Sequence, residues 1–199
     1  MVTGTIMQLT TPLGDEILSL HAGDHIELSG LVYTARDEAH IRMQNEGIPF
    51  EPKGAVIYHC GPVVQMDRII AAGPTTSARM NSLSGFLLDK GIRGLIGKGG
   101  MNAVVKEQLR GRGVYFAFTG GCAALAASHM KVKGVHFPNL GMAESIWIIE
   151  LDRLPLVVGI DAHGNDIFEL VRVHAGEIFR AKQKQPDDKD EASFFRQNE

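Results

Sequence analysis

The chain has 199 residues, 44% hydrophobic and 22% charged, a balance that suits one globular domain long enough to bury a core. Its formal charge of −3 and pI near 6.2 exclude a general affinity for nucleic-acid backbone or an anionic membrane surface, so any anion site must be local. No apolar run approaches the roughly 20 residues that span a bilayer, and MVTGTIMQLTTPLGDE lacks the basic start and apolar middle of a signal peptide, so a cytoplasmic protein is expected.

In chain order, HIELSGLVYTA reads as β-structure after a Gly23-Asp24 turn, and Asp37 is expected to cap a helix beginning DEAHIRMQ, with Arg36 at its entrance. GAVIYHCGPVV reads as a buried strand, Ala55 to His59, stopped by Gly61 and Pro62. Met80, Leu83, Phe86 and Leu87 recur at spacings of three and four, predicting one helix that ends at Lys90-Gly91. IRGLIG then reads as a strand and KGG as a loop. MNAVVKEQLRG reads as a helix with Met101, Val104, Val105 and Leu109 on one side. VYFAFTGG, CAALAASH and VKGVHF read as strand, small-residue helix and strand. LPLVVGIDAHGNDIF reads as a strand, a turn at His163 to Asn165 and a returning strand before a last helix. Alternating strands and helices predict an α/β fold with a parallel core, plus an additional β layer from the N-terminal segment, and ligands at the carboxyl ends of the strands. Residues 1–180 are expected to form the single domain, and 181–199, rich in charge, a solvated tail.

Four stretches carry polar groups where strands give way to helices. In GPTTSARM, Gly73 and Pro74 shape an entry, Thr75 or Thr76 can cap, and Arg79 follows a turn later. A helix start of this kind suits a carboxylate or phosphate, although capping and a surface ion pair would explain the same residues. GLIGKGGM sets Lys98 in a glycine loop. It fails the nucleotide pattern, because Ile92 stands at the first glycine position and Gly99 follows the lysine. What survives is a loop that a ligand can approach closely, with an ammonium beside it. In TGGCAALAAS, Cys122 reads as a small packing residue more than as a nucleophile. In YHCGP, His59 and Cys60 are strand neighbours that point to opposite faces and so make a poor catalytic pair. His129, His136, His163 and His174 show no ligand spacing, which leaves them loop or surface roles.

TARDEAH, GPTTSARM, GLIGKGGM, TGGCAALAA, LGMAESIW and DAHGN, in this order over most of the chain, resemble the beta subunit of class I fumarate hydratases and of the related L(+)-tartrate dehydratases. The resemblance implies a swivelling β/β/α domain and a hydro-lyase that uses a four-iron four-sulfur (4Fe-4S) cluster. Such a cluster needs three or four thiolates, and this chain has only Cys60 and Cys122, far apart and without ligand spacing, so no metal ligand is expected here. The cluster is expected on a separate alpha subunit, in an assembly of two alpha with two beta chains; self-association of the isolated chain is a further expectation.

The resemblance places Arg36, Thr76, Arg79 and Lys98 at the substrate carboxylates and Thr75 as the proton-abstracting residue. Hydrating fumarate to L-malate exchanges a proton on a carbon next to a carboxylate, so charge accumulates on that carboxylate and cations must meet it. A free hydroxyl is a poor base, which makes Thr75 the role that chemistry supports least. The general acid is expected from the partner chain. Dehydration of L(+)-tartrate is the alternative within the same chemistry. A noncatalytic carboxylate-binding module and a cysteine hydrolase built on Cys122 or Cys60 are the alternatives outside it.

Overall fold

The computed structural model describes residues 6–183, so all but the first three residues of the expected tail at 181–199 lie outside the described residues. The chain divides into two compact units, residues 1–167 and 168–199. The described part of the second is the body of helix α5 (Ile167–Gln183). The first unit carries everything that follows.

Its main sheet contains β1 (Met7–Thr10), β2 (His25–Thr34), β3 (Val56–Tyr58), β6 (Gly94–Gly97), β7 (Val114–Ala117), β8 (Met130–His136) and β9 (Ile146–Ile160). The order is β1-β2-β3-β6-β7-β9-β8, and β2 also pairs with β9, so β2, β3, β6, β7 and β9 close a ring. Neighbours among β2, β3, β6 and β7 are parallel, while β9 runs antiparallel to both β7 and β2. A separate hairpin joins β4 (Val63–Gln65) to β5 (Arg68–Ala71). The helices are α1 (Asp37–Glu46), α2 (Gly85–Asp89), α3 (Ala103–Leu109) and α4 (Ala123–Ala127).

The parallel strands β3, β6 and β7 are buried on both faces and read as continuous apolar runs. Their side chains alternate between two cores with the period of two that a pleat imposes. Val56, Tyr58, Ile96, Val114 and Phe116 enter the core shared with Ile26, Leu28, Val32, Ile149 and Leu156. Ile57, Leu95 and Tyr115 enter the opposite core, against Ala39 and Met43 of α1, Leu87 and Leu88 of α2, and Val105 and Leu109 of α3. Fully burying each such aliphatic side chain stabilises the fold by about 1.5–3 kcal/mol before chain entropy is counted.

The expected α/β class is present, but the N-terminal segment adds no separate β layer, since β1 and β2 are strands of the main sheet, and several local differences follow. The apolar spacing over Met80–Leu87 does not give one helix: a 3₁₀ turn occupies Ser77–Met80, and α2 starts only at Gly85. Met80 and Leu87 are buried as predicted, so the spacing records their burial and not a continuous helix. Val104 is 60% exposed and does not share the α3 core face. Instead of LPLVVGI alone, the strand runs from Ile146 through Arg153 and Pro155, with Arg153 at φ 50°. The returning strand after the turn is a single bridge, Ile160 to Asp166.

That turn is organised by Asp161, which is buried and accepts hydrogen bonds from the backbone of Ala22, His163 and Asn165 and from the Asn165 side chain, at 2.8–2.9 Å. Burial alone would raise its pKa, but these donors hold the carboxyl below its usual value. A depressed folded pKa contributes stability that is present above the ordinary carboxylate range and lost as pH falls through the folded value. Asp161→Ala is expected to cost about 3 kcal/mol at neutral pH, because it strands several donors. Urea unfolding should show that loss shrink towards acid pH, where the wild-type carboxyl has also lost its charge.

Candidate active site

β2, β3, β6 and β7 all deliver their carboxyl ends to one end of the sheet. The chain leaving β2 reaches Arg36, and that leaving β3 reaches His59, Cys60 and Gly61. The chain leaving β6 reaches Lys98, and that leaving β7 reaches Thr119, Gly120 and Gly121. Across these ends lies the segment Gly73–Ser77. Thr75 N donates to His59 O at 2.7 Å, Lys98 N to Thr75 O at 3.2 Å and Ser77 N to Lys98 O at 3.1 Å. Thr75, Thr76 and Lys98 are thus fixed side by side through their main chains.

The two guanidinium groups join the same cluster through side chains. Arg79 is ion-paired with Asp37, the first residue of α1, which ties the 3₁₀ turn to the helix entrance. Arg36 packs on Gly61, where an added Cβ would fall 2.9 Å from Arg36 Cδ. Its Nε lies 3.2 Å from Glu144 Oε1 but is not aligned for a hydrogen bond. Lys98 reaches towards the β7 exit, where a Cβ on Gly120 would fall 3.9 Å from its Nζ. All five residues singled out from sequence, Arg36, Thr75, Thr76, Arg79 and Lys98, therefore line one rim.

Within that rim the groups are not equivalent. Among the described residues, Lys98 Nζ has no ion-pair partner, and the Thr75 and Thr76 hydroxyls make no hydrogen bond. Thr76 and Lys98 are exposed and Thr75 is half-buried. The guanidinium groups are held by carboxylates, which leaves further donors on each to grip an anion. Three cations against Asp37 and Glu144 leave the rim with a net single positive charge.

Several expectations need correction here. Neither threonine caps a helix through its side chain, and the four-residue 3₁₀ turn at Ser77–Met80 is too short to carry a helix dipole. Any anion affinity therefore resides in the cations and hydroxyls. Asp37 does not cap α1 either: Arg36 occupies the cap position, and Asp37 serves Arg79. Asp37 and Glu144 lie inside quoted motifs, yet no local pattern indicates that they meet cations from distant parts of the chain.

His59 and Cys60 do point apart. His59 Nδ1 is 2.8 Å from Ser77 Oγ. Cys60 sits in the core with Tyr58 and Ile96, where burial pushes its thiol up to about 12, against the opposing effects of Tyr58 and Arg36. Such a thiol is no nucleophile near neutrality. Cys122 is not the buried packing residue expected. It is half-buried at the start of α4, accepts a hydrogen bond from Thr119 at 3.3 Å, and lines an apolar cavity of about 330 Å³ with Phe118, Leu125 and His129. Two separated thiols, one of them in the core, do not fit a four-iron cluster, and no group of three metal-ligating side chains occurs among the described residues. With an aromatic disulfide reagent at pH 8, we expect one thiol, Cys122, to react in the native chain and Cys60 only after denaturation. Two fast equivalents would contradict the burial of Cys60.

The family model described as "Fumarase C-terminus" matches residues 4–171. A protein of Methanocaldococcus jannaschii named "Putative L(+)-tartrate dehydratase subunit beta" is 41% identical over 170 residues, which cover 78% of this chain and 87% of that one. The "L(+)-tartrate dehydratase subunit beta" of Escherichia coli K12 is 36% identical over 170 residues, covering 80% and 85%. A Geobacillus stearothermophilus protein named "Putative fumarate hydratase class I" is 36% identical over 173 residues, which cover 82% of this chain but only 34% of the longer relative. With 168 contiguous residues under the family model and relatives matched over most of its length, this chain belongs to the fumarase C-terminal domain family.

Proposed function

We propose that this chain is the beta-type subunit of a hydro-lyase and supplies the carboxylate-binding and proton-transfer residues for the reversible hydration of fumarate to L-malate. The observation that carries this reading is the convergence of Arg36, Arg79, Lys98 and the unbonded hydroxyls of Thr75 and Thr76 on one open rim. Guanidinium groups preset by Asp37 and Glu144 suit a dicarboxylate, since a planar fork meets a carboxylate with two parallel bonds. Lys98 is left to meet the charge that develops as the adjacent carbon loses its proton.

Thr75 is the proton-abstracting residue in this reading. Its hydroxyl is unbonded among the described residues, and Lys98, its backbone neighbour, supplies positive charge to favour an alkoxide. A rim with one net positive charge does not neutralise a dianion, and its exposed groups are not shielded from water. Both features favour a second chain that closes over the rim and brings further positive charge and the general acid. The beta-subunit names of the relatives and the longer Geobacillus relative favour the same view. The family's four-iron four-sulfur (4Fe-4S) cluster then belongs to that alpha-type partner. A swivelling β/β/α fold, a cytoplasmic location and an assembly of two alpha with two beta chains complete the proposal.

Dehydration of L(+)-tartrate is the second reading, favoured by the names of the relatives matched over most of their length. It needs the same carboxylate grip and one additional hydroxyl to be accommodated. Steady-state assays of the chain assembled with its partner, on fumarate, L-malate and L(+)-tartrate, decide between them by kcat/KM.

In that assembly Thr75→Ala is expected to lower kcat by about 100-fold or more with little change in KM, because a group acting only in the transition state is lost. An unchanged kcat would remove Thr75 from the chemistry. Arg79→Ala and Lys98→Ala should each raise KM about tenfold or more as well as lower kcat, and wild-type KM in both would reject the carboxylate-binding rim.

A further inference from the structure

Beneath the rim lies a polar cluster in a place where the packing is otherwise apolar. His40 and His59 are completely buried, and their rings sit 5.5 Å apart. Each spends Nδ1 on a segment of the rim. His40 Nδ1 is 2.7 Å from the carbonyl oxygen of Arg36; because a carbonyl only accepts, His40 carries its proton on Nδ1. His59 Nδ1 meets Ser77 Oγ, which also lies 3.1 Å from the Tyr115 hydroxyl, and that hydroxyl in turn donates to Gly99 O at 2.7 Å. Among the described residues, neither Nε2 finds a hydrogen-bond partner.

An unpartnered nitrogen inside a core is a cost that an apolar side chain of similar size would avoid. Packing therefore does not account for either imidazole, whereas the Nδ1 contacts do. His59 holds Gly73–Ser77 at two points: its carbonyl accepts from Thr75 N, and its ring meets Ser77. Ser77 in turn donates its N–H to Lys98 O. The fit is close enough that a Cβ on Gly97 would fall 1.8 Å from Ser77 Oγ and 3.2 Å from His59 Nδ1, so only glycine leaves room before Lys98. His40, one turn into α1, fixes the carbonyl of Arg36 at the helix entrance, next to Asp37, which holds Arg79. Burial keeps both rings neutral, holding His40 down at about 4 and His59 well below its usual value.

We infer that His59 and His40 are positioning residues of the rim: His59, through Ser77, sets Thr75 and Lys98, and His40 sets the backbone that presents Arg36 and Asp37. This rests on the hydro-lyase reading for its consequence in turnover, but not for its consequence in structure. Displacing a reacting group by about 1 Å costs on the order of 100-fold in rate.

The test compares His59→Leu, which removes the ring contact, with His59→Asn, whose amide reaches the position of Nδ1, and with Ser77→Ala, a small change that deletes the other end. In the assembled enzyme His59→Leu and Ser77→Ala should each lower kcat about 30- to 100-fold with KM changed less than threefold, and His59→Asn should recover to within about fivefold of wild type. His40→Leu against His40→Asn should show the same loss and recovery, expressed mainly in KM, since Arg36 binds substrate. Amide hydrogen exchange on each protein supplies the arm that is independent of activity. In His59→Leu and Ser77→Ala, the amides of Thr75, Ser77 and Lys98 should exchange at least tenfold faster, while those of Leu95 and Phe116 are unchanged. Wild-type kcat in Ser77→Ala, or an Asn variant no better than its Leu counterpart, overturns the inference, as does unchanged exchange at Thr75 and Lys98. Inactivity of the wild-type assembly on all three dicarboxylates would instead sink the hydro-lyase reading, with hydrogen exchange still deciding the positioning role.

Discussion

The structure depends on the closure of a short parallel sheet by one long antiparallel strand. β2, β3, β6 and β7 are parallel and mostly three or four residues long, too short to make a stable sheet alone. β9 pairs with β7 along its last residues and with β2 over most of its length, so the ring closes and its interior fills with side chains from every strand. Closure leaves the parallel strands no freedom to slide. A slip of one residue would exchange Ile57 and Leu95 for Tyr58 and Ile96 between two cores that are both full. That register is what brings the strand exits bearing Arg36, His59, Lys98 and Gly120 to one end.

On that frame the electrostatics follow a simple rule. The two guanidinium groups at the rim are not free charges on a surface. Both are held by carboxylates that arrive from α1 and from the loop before β9, while the ammonium of Lys98 has no ion-pair partner among the described residues. Partly exposed pairs of this kind add little to stability, since water still reaches both partners. Their value lies in orientation. A long arginine side chain loses much of its rotamer entropy before a ligand arrives, so less is lost on binding. The same logic applies one layer deeper, where polar contacts from His59, Ser77 and Tyr115 tie the Thr75 segment to the sheet.

Membership of the fumarase C-terminal domain family agrees with this layout, in which a rigid sheet presents its polar groups from connecting segments. The apolar cavity beside Cys122 begins at Thr119, on the chain leaving β7, and is lined mostly by apolar side chains. That hollow is lined by none of the five rim residues.

The sequence by itself determined the alternation of strand and helix and the burial of the parallel strands, while its resemblance to a known family singled out five residues that the fold gathers at one end. Periodicity and the glycine-bounded strand exits are local signals, written in neighbouring residues. It misplaced what depends on distant partners. Met80 and Leu87 satisfy a helical spacing, yet the chain turns between them and each is buried by its own short element. The strand read from LPLVVGI starts earlier, at Ile146, because β2 and β8 pair alongside its first residues. Asp37 and Glu144 as guanidinium partners, and His40 and His59 as buried supports, could be decided only by tertiary structure. Electrostatic and hydrogen-bond partners are chosen by proximity in space, which a linear pattern of residue types does not encode.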